Sequence, residues 1–110
     1  MNIVNRGYLS VKPKQPFIDW VNTFENEIEL SLEYDDEPTI YLIREDFIDE
    51  EPIINQHFKK ILENEFAAIT ETTEDWPEVQ TLEEFLNWFE IRLGSMVFDL
   101  EKSNIVKEKI

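Results

Sequence analysis

Changes in hydrophobic period along 110 residues predict a single α+β domain. Phe17, Trp20, Val21 and Phe24 recur at helical spacing, Ile28, Leu30, Leu32 and Tyr34 alternate with polar residues, and Thr39–Ile43 (TIYLI) is β-rich and apolar at nearly every position. Such a composition, 42% hydrophobic and 13% aromatic with two glycines, suits a packed core rather than a disordered acidic chain.

The first strand is read at Arg6 to Lys12 (RGYLSVK), with Tyr8 and Ser10 on one side and Leu9 and Val11 on the other. Pro13 and Pro16 bracket a short connection, and Pro16 suits the first turn of a helix ending near Asn26, because its missing amide hydrogen has no helical partner there. A second strand over Glu27 to Tyr34 is half-buried. Asp35, Asp36, Glu37 and Pro38 turn the chain into the third strand, Thr39 to Ile43, whose two apolar faces place it in the middle of a sheet.

Asp49 caps a second helix with Pro52 in its first turn, and Ile54, Phe58, Ile61, Leu62, Phe66 and Ile69 line one side. Thr70 to Asp75 is a polar linker closed by Trp76-Pro77. Thr81 and Glu84 have capping-box spacing for a third helix with the stripe Leu82, Phe85, Phe89 and Leu93, and Gly94 is read as its left-handed stop. Met96 to Leu100 (MVFDL) is the last strand. Residues 1–101 then form one domain, and 102–110 a fraying tail.

The order β-α-β-β-α-α-β contains the split βαβ pattern of a ferredoxin-like sandwich with one added helix. Its four-stranded antiparallel sheet has the expected order 4-1-3-2, with Phe17, Trp20, Phe58, Phe85 and Phe89 in the helix-facing core. The other sheet face is open. Whichever side of the third strand meets the helices, a bulky pair is left over, either Ile40 and Leu42 or Tyr41 and Ile43.

Three segments, VKPKQPFIDWVN (Val11 to Asn22), WPEVQTLEEFLNWFE (Trp76 to Glu90) and SMVFDL (Ser95 to Leu100), resemble a family of small acidic bacterial proteins of unassigned function. The resemblance implies a bacterial source and one domain, and it carries over no functional residue.

Charge narrows the function classes. With 25 acidic and 10 basic residues the net charge is -15, which disfavours nucleic acid and anionic lipid and favours basic proteins or cations as partners. Residues 1–18 hold Arg6, Lys12 and Lys14 and no acid, and residues 19–100 carry -19. No run reaches signal-peptide or membrane-spanning length, so a cytoplasmic location is expected.

Chemistry is sparsely marked. There is no cysteine and no phosphate-binding glycine loop, and the single histidine, His57, flanks the apolar stripe of the second helix as a structural residue would. The acids at Asp35-Asp36-Glu37 and at Asp46, Asp49, Glu50 and Glu51 lack the spacing of a calcium loop, and they suit a turn and a helix start. No catalytic residue, metal or cofactor is therefore assigned.

Two functions remain. The first is a protein-interaction module using the open sheet face, with Tyr8, Tyr41 and Val97 as surface residues, or the acidic surface; its partner is another protein or a second copy. The alternative is a small anionic-ligand or catalytic domain on the basic loop Lys12 to Phe17, with Lys12, Lys14 and Gln15 as ligand-binding residues.

Overall fold

The computed structural model describes residues 1–24 and 36–110. Along the chain these form β1 (Asn2–Val4), β2 (Gly7–Pro13), α1 (Gln15–Val21), β3 (Thr39–Ile43), α2 (Glu50–Ala67), a 3₁₀ turn (Thr73–Asp75), α3 (Leu82–Trp88), β4 (Phe89–Gly94) and β5 (Val97–Asp99). The class is α+β. The second strand expected at Glu27 to Tyr34 lies outside the described residues.

The main sheet is antiparallel in the order β3-β2-β4. Its register sets Leu9 between Tyr41 and Leu93, and Val11 between Thr39 and Ile91. Residues directly opposed in a ladder share a face, so Leu9, Val11, Tyr41, Ile43, Phe89, Ile91 and Leu93 all point one way. That side meets the helices. Leu9, Val11, Ile43 and Phe89 join Phe17, Ile18, Ile53, Phe58, Phe66 and Phe85 in one buried core, with Ile91 and Leu93 packed against it.

Helix α2 follows its expected stripe, burying Ile53, Ile54, Phe58, Ile61, Leu62 and Phe66. The helix ends at Ala67, which leaves Ile69 beyond it and exposed. Asp49 occupies the N-cap position without a side-chain hydrogen bond to the helix. Thr81 caps α3 through its hydroxyl, which accepts from the Glu84 amide at 3.1 Å and donates to the Glu84 carboxylate at 2.9 Å.

Three expectations are corrected. Helix α3 stops at Trp88, because Phe89 takes extended angles (φ -136°, ψ 142°) and begins β4 in the next step. Gly94 is consequently not a left-handed cap: it sits in a strand, and no glycine has positive φ.

The last strand of the main sheet is thus β4, while the MVFDL segment supplies β5, which pairs with β1 in a separate two-stranded ribbon. The described residues form one sheet of three strands and one of two. β3 pairs with β2 among the described residues, and the strand expected on its other side, Glu27 to Tyr34, lies outside them.

Ribbon and sheet are related by a one-residue offset. Val4 opposes Val97 and Tyr8 opposes Gly94, so three residues separate the pairs on one strand and two on the other. The extra residue is the signature of a bulge between β1 and β2.

Candidate functional site

The face of β3-β2-β4 turned away from the helices is built by the residues that alternate with the core set. Register places Tyr8 between Leu42 and Gly94, Ser10 between Ile40 and Arg92, and Lys12 opposite Glu90. Ile40 and Leu42 are 54% and 51% exposed. Of the two pairs that the third strand offers, this is the one left over.

Tyr8 is the half-buried aromatic at the centre of this face, and its ring occupies the space over Gly94. A Cβ at Gly94 would fall 2.6 Å from the Tyr8 Cζ and 2.7 Å from its hydroxyl oxygen. Gly7, on the neighbouring position of β2, is restricted on the opposite side: a Cβ there would lie 2.7 Å from the Gly94 carbonyl oxygen and 3.1 Å from that of Arg44. Both glycines of the chain thus permit close approach of backbone and ring at one end of the sheet.

Charges on the open face occur in opposite-sign pairs. The Lys12 ammonium lies 3.1 Å from the Asp36 carboxylate, and the Arg92 guanidinium lies 3.4 Å from Glu90, two residues back on the same strand. With Ser10 and Pro38 these residues, Asp36 excepted, line a shallow depression of about 330 Å³.

Tyr41 does not join Tyr8. It lies on the helix-facing side, where its hydroxyl donates to the Glu65 carboxylate at 3.2 Å and accepts from the Asn64 amide at 2.9 Å. Burial pushes the Tyr41 phenol up to about 12, and the Glu65 charge adds to the effect. Burial also pushes the Glu65 carboxyl above the ordinary carboxylate range, against the hydrogen bonds from Thr39 and Tyr41. This network fastens β3 to α2, so the expected pairing of two tyrosines on the open face is corrected by strand alternation. Val97, the third expected surface residue, is half-buried in β5 of the ribbon.

A groove of about 710 Å³ runs between β3 and α2, lined in part by Tyr41, His57, Lys60, Asn64 and Trp76. His57 is half-buried at its wall. This groove was not anticipated in the sequence, since its walls come from elements whose packing only the fold reveals.

The basic loop is engaged with the chain itself. Lys14 donates from Nζ to the Leu86 carbonyl at 2.8 Å, Gln15 donates to Asp19 at 2.7 Å, and Lys12 pairs with Asp36. The seven-residue α1 that follows has Lys14 at its N-cap position with no side-chain cap. Lys12 is in β2 and reaches the open face, whereas Lys14 reaches α3, so the two cations do not converge on one point.

Among the described residues no group of three or more His, Asp or Glu side chains is arranged to hold a metal ion, and no helix is long and apolar enough to cross a membrane. No family model, curated protein or solved structure matches the chain.

Proposed function

We propose that this chain is a protein-interaction module whose docking surface is the open face of β3-β2-β4. One observation carries the reading: Ile40 and Leu42 stand half-exposed on a regular strand, at positions where a solvated antiparallel face normally carries polar residues. Tyr8 supports it. Its ring is constrained against Gly94, so it offers apolar area and a hydroxyl while losing little freedom on binding.

The ferredoxin-like layout is part of the same proposal. Support comes from the order β3-β2-β4 with helices on one side, which corresponds to the 4-1-3 portion of that sheet, β4 standing where the MVFDL strand was expected. The contacts of Lys12, Lys14 and Gln15 with the chain's own acceptors give the anionic-ligand reading no comparable support.

The test is a photo-reactive side chain at Leu42, compared with one at Ile48, which is 98% exposed in the loop before α2. Discrete covalent adducts from position 42 in cells of the native organism, with none from position 48, are the expected result. Equal, diffuse labelling from both positions contradicts it.

A further inference from the structure

The groove between β3 and α2 joins apolar walls to a charged rim. Ile43 and Ile61 line it from the buried core, and Tyr41, Ala67 and Trp76 complete its apolar surface. The Trp76 indole N–H already donates to the Thr70 carbonyl at 2.8 Å, so what the ring adds to the groove is apolar area. Lys60 and Glu63, one turn apart on α2, also line it, and neither has an ion pair among the described residues.

One further lining residue belongs to neither wall. Ile110 stands at the mouth of the groove with its side chain fully exposed, in a segment without secondary structure that follows β5. Residues 102–110 hold Lys102, Lys107 and Lys109 against one acid, Glu108, so they carry +2 while the rest of the chain carries -17. The segment is therefore attracted to the body it hangs from. Ile105 and Val106 are exposed as well, and Lys107, Glu108 and Lys109 alternate in sign with no ion pair among the described residues.

We infer that the groove between β3 and α2 is the receptor for the chain's own residues 105–110, an intramolecular strap that seats Ile110 against Ile61, Ala67 and Trp76 and sets Lys107 or Lys109 beside Glu63 and Glu108 beside Lys60. The apolar end of the segment meets the apolar surface, and each unpaired charge of the rim meets its opposite. Attachment through the chain supplies an effective concentration on the order of millimolar, so a contact too weak to hold a free peptide is populated within one molecule. A foreign segment that is likewise aliphatic and net basic reaches the groove only by displacing the strap. The inference concerns the edge of β3 that faces α2 and does not depend on the open face.

Methyl and indole NMR of the full chain tests it. The Ile110 methyls should give nuclear Overhauser contacts to the Ala67 methyl and the Trp76 ring. Ile110→Asp should shift the Ala67 methyl and Trp76 indole signals and leave those of Trp20 and Trp88 in place, and Lys107→Glu with Lys109→Glu should move the same two signals in the same direction. Ile48→Asp, which alters an equally exposed aliphatic residue in the loop before α2, should move neither.

Ala67 and Trp76 signals unmoved by Ile110→Asp, or moved as much by Ile48→Asp, overturn the strap. Backbone order parameters below about 0.6 throughout residues 105–110 do so as well, since they describe a free tail. In a mixture of differently labelled chains, contacts between Ile110 of one label and Ala67 of the other assign the groove to a second copy's tail and overturn the intramolecular assignment.

Discussion

The ring of Tyr8 occupies the space that a side chain at Gly94 would need, across the ladder between β2 and β4. This contact explains a glycine with ordinary backbone angles, since what the position requires is the absence of a Cβ rather than a left-handed conformation. It also fixes the ring of Tyr8 on the open face.

Gly94→Ala is expected to destabilise the fold by about 1 to 3 kcal/mol, the usual cost of forcing an extra methyl into a packed contact. In a Tyr8→Ala background the same substitution should cost much less, because the obstructing ring is gone. Urea unfolding of the four proteins in this cycle checks the coupling. Equal losses in the two backgrounds would mean that Gly94 is required for another reason.

Aromatic residues in the core should rank by burial. Phe85 is fully buried against Phe58 and Phe89, so Phe85→Ala is expected to cost about 3 to 5 kcal/mol. Trp20 was expected among the buried core residues and is instead half-exposed, touching Phe17, Phe24, Phe66 and Trp88 and donating from its indole to the Asp75 carbonyl at 3.1 Å. Trp20→Ala should therefore cost less, about 2 to 3 kcal/mol. Chemical denaturation of both variants orders them, and a larger loss at Trp20 contradicts the packing.

The Tyr41–Glu65 contact has a pH signature. A carboxyl whose folded pKa is raised contributes stability that is fully present below its unfolded pKa and is lost as pH rises through the folded one. Glu65→Gln removes that loss and keeps an acceptor for the Tyr41 hydroxyl, so the variant should melt higher than the parent at neutral pH. The advantage should shrink as pH falls below the ordinary carboxylate range. A pH-independent difference, or a less stable variant at neutral pH, would contradict the burial of this group.

At the alkaline end, the stability that neutral Tyr41 contributes is complete below its ordinary value of 10 and is lost as pH rises through about 12. An ultraviolet titration should show an ionisation step near 12 that is lost in Tyr41→Phe.

Local signals were legible where one physical cause dominated. Thr39–Ile43 is a strand at the expected bounds because β-branched residues are bounded by Pro38 and a polar loop. The stripe of α2 and the Thr81–Glu84 cap were equally explicit.

The junction of α3 and β4 is ambiguous in the sequence because Phe85, Phe89 and Leu93, four apart, satisfy a helix and a strand alike. The alternation of Phe89, Ile91 and Leu93 with Glu90 and Arg92 is the available signal for β4, and Gly94 sets a helix stop in competition with it. For the open face, the leftover apolar pair was foreseen but not which pair. That choice is made by register, which brings Leu9 opposite Tyr41 and so sends Ile40 and Leu42 outward.

Coverage of the open face in solution is read most directly by methyl NMR with a soluble paramagnetic relaxation agent. Signals of Ile40 and Leu42 are compared with those of Ile48, which is almost wholly exposed. In extract of the native organism, Ile40 and Leu42 should become protected from the agent while Ile48 remains fully relaxed. Equal relaxation of all three methyl sets with and without extract would contradict a docking surface on this face.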